Sequence, residues 1–220
     1  MIRLLRPTFL LAVAVLAVYL TANDPSPAAA LSARAEACEF RNTRTIRRSR
    51  EVRIFYFFRG PRRGVLGCHY DRGRAYELKG YVRDREAPGS LPSAESLRLS
   101  GTFAGYEVRL GRFSASRTQA INLRTGRLAR DAYNGGGEQR DPALGVTDLE
   151  LSRTGSIAWI LAVQDTEGLR GEVRIGPRSL PLTQATTIDR GPDVDLRSLV
   201  LRGTTLYWTN AGVRRSVTLR

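Results

Sequence analysis

Three aspartates close together are the first residues of this chain whose types and spacing could do chemistry. Asp189, Asp193 and Asp195 fall within seven residues of one another. Carboxylate oxygens are the ligands that Ca²⁺ prefers, although this spacing departs from that of an EF-hand loop. Aspartates in turns also accept hydrogen bonds from nearby backbone N–H groups. Two interpretations therefore stand, a calcium site and a set of turn aspartates, and the second is favoured.

Four further carboxylates lie a little earlier in the chain: Glu150, Asp165, Glu167 and Glu172. Two carboxyl groups about 5–10 Å apart can hydrolyse a glycosidic bond. Exposed carboxylates are equally common on strands and loops of any surface. The sequence therefore keeps an extracellular polysaccharide hydrolase as its alternative function. It carries no nucleophile elbow, phosphate loop or dinucleotide fingerprint, so a non-enzymatic binding protein is favoured and no cofactor is expected beyond the possible calcium.

Cys38 and Cys68 are the only cysteines, and His69 is the only histidine. An even cysteine count in an exported chain favours a disulfide. A nucleophilic Cys68 activated by His69 is disfavoured, because adjacent side chains on a strand point to opposite faces. We predict a structural Cys38–Cys68 disulfide and a buried strand histidine whose hydrogen bonds are satisfied.

The N-terminus has the order of a secretory signal peptide. Arg3 and Arg6 precede a 15-residue apolar run over residues 8–22, small residues follow at 28–30, and a second option, an Ala-x-Ala pattern, lies at 35–37. A membrane-spanning helix needs roughly 20 apolar residues, so cleavage is favoured over an uncleaved anchor formed by residues 8–22. We expect a leader of residues 1–30, with cleavage as late as residue 37, and a single secreted domain over residues 38–220.

The chain is strongly basic, with a formal net charge of +14. Such a surface attracts anions in a salt-dependent manner. The expected partners are an anionic cell-surface polymer or another exported protein. Nucleic acid is disfavoured because of the export signal, and membrane contact requires an uncleaved leader. Arginines are also scattered along the chain, as a compositional bias would place them. The densest stretch supplies the candidate anion-binding residues: Arg44, Arg47, Arg48, Arg50, Arg62 and Arg63.

A pattern of paired apolar residues recurs about every fifty positions. Leu97, Leu149 and Leu199 are spaced by 52 and 50 residues, and each is followed by an aromatic residue, the last two of these being Trp159 and Trp208. Glycines at 73, 126 and 176 are spaced by 53 and 50. Repeats of this length indicate stacked or radial units that bury a shared core.

Each unit contains short alternating runs bounded by glycine and proline, which predict β-strands. The first unit is predicted to begin at Val52. Tyr106, Trp159, Tyr207 and Trp208 can pack between units or stack on a sugar, and packing is favoured for the two tryptophans. The last unit is short, which leads us to predict that residues 38–48 supply its missing strand.

The segments Leu-x-Leu-Ser…Gly-x-Ile-Ala-Trp at 149–159 and Ser-Leu-Val-Leu-x-Gly-x-x-Leu-Tyr-Trp-Thr at 198–209 resemble β-propeller repeats of the WD40-like class. They are also similar to exported bacterial proteins built from such repeats. The resemblance implies a propeller-like array of about four blade-like antiparallel sheets. An open partial propeller and a β-sandwich are the alternatives. Such folds host many functions, so the resemblance implies no activity.

Overall fold

All regular structure in the described residues is β-strand. The computed structural model describes residues 37–59, 62–78, 96–109, 116–134, 143–176 and 183–219, and these contain sixteen strands. The predicted all-β class is thus confirmed. No described segment is a helix of the length and apolarity that crossing a bilayer requires. The predicted leader of residues 1–30, with the possible anchor at 8–22, lies outside the described residues.

Strands that follow one another along the chain form the first two sheets. The first sheet contains, in spatial order, β1 (Thr43–Arg48), β2 (Val52–Arg59), β3 (Arg62–His69) and β4 (Arg74–Glu77). The second sheet contains β5 (Arg98–Ser100), β6 (Phe103–Arg109), β7 (Ser116–Asn122) and β8 (Arg127–Tyr133), all antiparallel. A two-residue strand, β12 (Thr183–Gln184), joins the outer edge of β8 in parallel.

The remaining strands form two further antiparallel sheets. The third sheet contains β9 (Ala143–Leu151), β10 (Ile157–Asp165), β11 (Gly168–Ile175) and β13 (Thr186–Gly191). The fourth sheet has three strands, β14 (Val200–Arg202), β15 (Thr205–Asn210) and β16 (Val213–Thr218). In each sheet, the strand that comes first in the chain lies at one edge.

Residues 38–48 do not complete the fourth sheet. They contain β1, which pairs antiparallel with β2 inside the first sheet, with Thr43 opposite Phe57 and Arg48 opposite Arg53. The prediction that this segment supplies a missing strand to the last unit is therefore wrong. The reason is local, because a short turn brings β1 back beside β2, and neighbouring strands joined by short connections pair with one another.

Three apolar clusters fill the spaces between successive sheets, and we call these spaces seams 1, 2 and 3. Seam 1 contains Ile54 of the first sheet and Tyr106 of the second. Trp159 of the third sheet lies in seam 2, while its neighbour Ile160 lies in seam 3 with Leu206 of the fourth. Because side chains alternate between the faces of a strand, β10 contributes to the core on both sides.

The three leucines of the predicted pattern lie in matching places. Leu97 is buried in seam 1, Leu149 in seam 2 and Leu199 in seam 3. Leu149 pairs with Trp159 across β9 and β10. Arg98 pairs with Gly105 and Val200 with Tyr207, so the next position of each ladder places Leu97 opposite Tyr106 and Leu199 opposite Trp208. Each leucine therefore packs beside an aromatic ring on the adjacent strand.

The first sheet has the same pairing with a different residue. Thr45 pairs with Phe55 across β1 and β2, and Thr45 precedes Leu97 by 52 positions. The first unit therefore begins with β1, and the predicted start at Val52 is wrong. A hydroxyl takes the place of the leucine because Thr45 Oγ1 accepts a hydrogen bond from Arg53 Nε at 2.9 Å.

A segment before β1 covers the face of the first sheet that points away from seam 1. A disulfide joins Cys38 to Cys68 on β3, as the cysteine count predicts. The ring of Phe40 stacks on Phe55, with the ring centroids 5.4 Å apart. Arg53 is buried, and its Nη1 donates to the carbonyl of Cys38 at 2.7 Å. Residues 38–40 are therefore held by a covalent bond, a buried guanidinium and a ring contact.

Candidate functional site

An open cleft lies where the first strands of the four sheets come together, and we call it the axial cleft. One part, of about 590 Å³, is lined by Arg47 on β1, Arg98 on β5, Thr147 on β9 and Arg197 just before β14. An adjoining part of about 640 Å³ shares Thr147 and Arg197. The other residues that line it are Ser96, Glu107, Arg109, Leu144, Gly145, Val146, Asp148 and Ala162.

Three arginines that are far apart in sequence meet in the axial cleft. Arg47 and Arg197 are exposed, and neither makes a side-chain hydrogen bond or ion pair with another described residue. Arg98 donates to the carbonyl of Leu97 at 3.2 Å and lies 3.6 Å from Oδ1 of Asp148. Guanidinium groups stay protonated at any physiological pH. This part of the cleft therefore has a positive potential that Asp148 offsets only in part.

The two carboxylates of the cleft hold its walls together. Glu107, which is buried on β6, accepts a hydrogen bond from the backbone N–H of Val146 on β9 at 3.1 Å. Asp148 Oδ2 accepts one from the N–H of Leu199 at 3.0 Å. Glu107 thus connects the second sheet to the first strand of the third, and Asp148 connects the third sheet to the residue just before β14. Both oxygens of Asp148 and Oε1 of Glu107 accept hydrogen bonds from backbone N–H groups, which fits a structural role better than a catalytic one.

Hydroxyl groups fix the strands that carry the arginines. Ser96 Oγ accepts a hydrogen bond from the N–H of Glu107, and Ser198 Oγ accepts one from Thr209, a separation of 11 residues in both cases. Thr147 Oγ1 donates to the carbonyl of Leu196 at 2.8 Å. The chain is thus anchored on both sides of Arg197, and that side chain is presented from a fixed backbone.

Glu150 lies on β9 two residues beyond Asp148, so the two side chains share one face with Cα atoms about 7 Å apart. Burial raises the pKa of Glu150 above its usual value, the charge of Asp148 raises it further, and Arg98 lowers it. Protonation of Glu150, which begins at a higher pH than for a free glutamate, therefore removes a negative charge beside Arg98. The positive potential of the axial cleft increases when that happens.

One of the six predicted anion-binding arginines lines the cleft. That residue is Arg47, while Arg44, Arg48 and Arg50 are exposed along β1 and the turn after it and do not line the cleft. The backbone of residues 62 and 63 opens β3, and their side chains lie outside the described residues. The basic stretch therefore contributes one member to a site whose other arginines come from elsewhere.

The structure separates the three predicted calcium ligands into different roles. Asp189 accepts hydrogen bonds from Trp208 Nε1 at 2.6 Å and from Asn210, with Arg215 at 3.0 Å. Asp195 Oδ1 accepts from the N–H of Arg197, as a turn aspartate does, and Asp193 is exposed. Within the described ranges, no three metal-ligating side chains lie close enough together to hold an ion.

The carboxylates considered for a hydrolase do not converge. Leu149 and Leu151 point into seam 2, so Glu150 between them faces the fourth sheet. Val173 points into seam 3, so Glu172 faces the second sheet, where Arg174 Nε donates to it at 3.0 Å. Glu150 and Glu172 are therefore on opposite faces of the third sheet. Glu167 is exposed in the turn after β10, and the side chain of Asp165 lies outside the described residues.

The histidine and the aromatic residues are structural. His69 is 3% exposed, but its Nδ1 has no hydrogen-bond partner among the described residues, so the predicted satisfied histidine is wrong in that respect. Burial lowers its pKa, which keeps the ring neutral. Trp159 and Trp208 are buried in seams 2 and 3. Tyr207 is half-buried beneath the guanidinium of Arg214, which lies 4.2 Å from its ring centroid.

The sequence did not identify Arg98, Arg109 or Arg197 as members of the site. A signal was available for two of them, because Arg98 directly follows Leu97 and Arg197 precedes Leu199 by two residues. An arginine beside a leucine of the recurring pattern therefore lies near the point where the first strands meet. Arg109 has no such signal, and its Nη2 donates to the carbonyl of Leu144 at 3.3 Å.

Comparison with known proteins gives no relative, since no protein-family model, curated protein or solved structure matches this chain. Function is therefore inferred from the axial cleft and its charges.

Proposed function

We propose that this chain is an exported, non-enzymatic binding protein, built as a propeller-like array, that binds an anionic ligand in its axial cleft. The observation that carries the proposal is the convergence of Arg47, Arg98 and Arg197 from three sheets. Oxyanion groups of a cell-surface polymer are the ligand chemistry that fits, because guanidinium forks bind carboxylate, sulfate and phosphate oxygens in pairs.

The proposed array treats each sheet as a blade whose first strand is the innermost. Three observations support it: the sheets follow one another along the chain, each adjacent pair shares a seam, and the first strands line one cleft. We take the array to be open between the fourth and first sheets. Among the described residues, no apolar cluster contains members of both. A β-sandwich has a single interior between two sheets, which three separate seams do not fit.

Export is supported by the order of charged, apolar and small residues at the N-terminus and by the disulfide. Disulfides persist in oxidising compartments and are rare in the cytosol. The bond between Cys38 and Cys68 therefore suits a protein that acts outside the cytoplasm. An uncleaved anchor at residues 8–22 would place the same cleft on a membrane surface and leave the ligand chemistry unchanged.

Binding without chemistry is favoured by the state of the carboxylates. Glu107 and Asp148 accept hydrogen bonds from backbone N–H groups of the next sheet, so they stabilise the cleft wall. Glu172 is bound to Arg174 on the opposite face of the third sheet. A glycosidase needs two carboxyl groups with oxygens free to meet the sugar.

The proposal is tested by titrating the exported protein with oligogalacturonate of defined length, a soluble polymer of carboxylates. We expect saturable binding at low salt that weakens as ionic strength rises. The double variant R47Q/R197Q should bind at least about tenfold more weakly, since two charge-assisted contacts are lost. Calorimetry gives both the affinity and the stoichiometry.

The matched control is the double variant R127Q/R202Q, which removes the same charge from two exposed positions outside the cleft. It should reduce affinity by less than about twofold, because exposed charges far from a ligand are screened. If the two double variants weaken binding equally, attraction comes from the whole basic surface and the axial site is wrong.

One observation favours the hydrolase as a second candidate. Glu150 has a raised pKa and lies beside Asp148, as a general acid lies near its partner carboxylate. Release of reducing ends from polygalacturonate, abolished in E150Q and in D148N, would establish that function. Absence of any such release, with binding retained, supports the non-enzymatic protein.

A further inference from the structure

The outer edge of the fourth sheet is open in a way that the other sheets are not. β16 is the third strand of its sheet, and no fourth strand lies beside it in the part of the chain that the structure describes, whereas β3, β7 and β11 each pair with a further strand. Burial reflects this difference. Five of the seven residues of β7 are buried, while every residue of β16 is exposed or half-buried. The edge of β16 therefore remains available to another strand.

Edge strands elsewhere in the described residues are protected against pairing. Four sheets have eight edge strands, and β4, β5, β12 and β14 have four residues or fewer. The longer edge strands β1, β9 and β13 each contain a bulge or irregularity in their pairing. Short strands and bulges are the usual protections of a sheet edge. Among the described strands, β16 alone combines an edge position, six residues and an uninterrupted register.

The register shows which backbone groups of β16 face outwards. Ala211 and Gly212 both have positive φ, 52° and 74°, so they form a two-residue turn that makes Asn210 and Val213 a hydrogen-bonded pair. Pairs alternate along an antiparallel ladder. The N–H and C=O groups of residues 214, 216 and 218 therefore point away from β15. Three consecutive attachment points are thus exposed along one straight edge.

The side chains of the edge indicate the charge of its partner. Arg214 and Arg215 are exposed at its centre, Arg215 is already paired with Asp189 at 3.0 Å, and β16 has no acidic residue. A second copy of β16 would bring the arginines of the two copies together, which disfavours self-pairing. An extended segment with acidic residues would meet opposite charges instead. The fold already uses such an addition once, where β12 extends the second sheet beside β8.

We propose that β16 is a docking edge for an extended acidic segment of another protein, which adds to the fourth sheet as its fourth strand. Backbone hydrogen bonds to residues 214, 216 and 218 supply the attachment, and Arg214 selects acidic side chains. The inference does not depend on the axial cleft, because it rests on strand pairing at the opposite end of the fourth sheet.

The test uses the full exported protein and a fluorescent peptide, Thr-Val-Glu-Glu-Val-Thr, with blocked ends, followed by anisotropy. Two N-methylated forms of the peptide separate strand pairing from simple charge attraction. In an extended peptide, the N–H groups of alternate residues point to opposite edges. The first form is methylated at every N–H of one edge, and the second form at every N–H of the other edge. Only one edge faces β16, so we expect one form to bind about tenfold more weakly and the other to bind like the parent.

Variants of the protein test the same edge from its own side. S216P removes an outward N–H that makes no bond to β15, and it should weaken binding about tenfold. R214E should weaken binding similarly, while R202E, on an exposed position of β14, changes the charge equally and should have less than about a threefold effect. If S216P does not fold, the methylated peptides decide alone.

Three outcomes would overturn the proposal. Equal binding of the parent and both methylated peptides would show that charge alone attracts the peptide. Full binding by folded S216P would place the contact elsewhere. Dimerisation of the protein in sedimentation, lost in S216P, would make a second copy the occupant of this edge.

Discussion

The indole Nε1 of Trp208 donates a hydrogen bond to Oδ2 of Asp189 at 2.6 Å, across the seam between the fourth and third sheets. Nδ2 of Asn210 lies 3.1 Å from both carboxylate oxygens, and Nη1 of Arg215 lies 3.0 Å from Oδ1. A single carboxylate, 8% exposed, therefore holds three side chains of the fourth sheet. This arrangement accounts for an aspartate that the sequence offers as a calcium ligand.

We expect the substitution D189N to destabilise the fold by about 2–3 kcal/mol, because hydrogen bonds to a charged acceptor are lost or weakened. The measurement is urea unfolding at neutral pH with the disulfide intact. D193N is the matched control, since the exposed Asp193 makes no side-chain contact of this kind, and its effect should stay within about 0.5 kcal/mol. Equal effects of the two substitutions would contradict the anchor role.

The same carboxylate predicts how stability responds to acid. Burial alone raises the pKa of Asp189, but hydrogen bonds from Trp208 and Asn210 and the charge of Arg215 outweigh it, so the pKa lies below the usual 3.8. A group whose pKa is lower in the folded state stabilises the fold above its unfolded pKa, and that stability is lost as pH falls through the folded value. The difference in unfolding free energy between wild type and D189N should therefore shrink below pH 3.8. A difference that stays constant down to pH 2 would contradict this.

The two tryptophans make a matched pair for a further prediction. Trp208 has an acceptor in Asp189, whereas no residue that the structure describes accepts a hydrogen bond from the buried Nε1 of Trp159. Both W159F and W208F remove similar volume from a seam, but only W208F breaks a hydrogen bond. W208F should therefore be more destabilising than W159F by about 1–3 kcal/mol, as measured by urea unfolding. Equal losses would mean that packing alone determines both values.

The sequence predicts the strands well because alternation is a local property. The turn glycines Gly73 and Gly126 also behave alike, with φ of 56° and 72° before β4 and β8. Gly176 does not belong with them, because it ends β11 with a φ outside the left-handed region, and its N–H donates to the carbonyl of Ile157. The regular spacing of the three glycines therefore reflects matching turns at Gly73 and Gly126, and the position of Gly176 is a coincidence.

The axial cleft could not be predicted because it depends on how sheets meet. Arg47, Arg98 and Arg197 come from three separate parts of the chain, and only the convergence of the first strands brings them together. The start of the first unit was missed for a different reason. Thr45 stands where the pattern expects a leucine, and its hydroxyl accepts a hydrogen bond from the buried Arg53. The leucine that marks the start of the other units is therefore absent from the first unit.

Residues 38–40, which cover the outer face of the first sheet, give a prediction about the disulfide. Cys38 and Cys68 are 30 positions apart, and closing a loop of that length stabilises the folded state by about 3–4 kcal/mol in the chain-entropy model. We expect the double substitution C38S/C68S to lower the unfolding free energy by that amount. Wild type unfolded under reducing conditions is the control and should show the same loss. A loss below about 1 kcal/mol in both experiments would indicate that Arg53 and the Phe40–Phe55 contact hold residues 38–40 in place without the covalent bond.

Anion binding in the axial cleft should depend on pH through Glu150. Burial and the charge of Asp148 raise the pKa of this residue above the usual 4.5, so its protonated form persists to a higher pH than in a free glutamate. As pH rises through the folded pKa, Glu150 becomes negative beside Arg98 and repels an anion bound there. We therefore expect the affinity for oligogalacturonate to fall by about three- to tenfold as pH is raised to 7, the size expected of one like charge at the edge of a solvated site.

The variant E150Q separates this cause from titration of the ligand. It keeps the shape of the side chain and removes its charge, so its affinity at pH 7 should match that of wild type at the acidic end, and its pH profile should be flat apart from the titration of the ligand itself. E167Q removes the same charge from an exposed turn and should keep the wild-type profile. If E150Q and wild type show the same pH profile, the proton that controls binding is on another group.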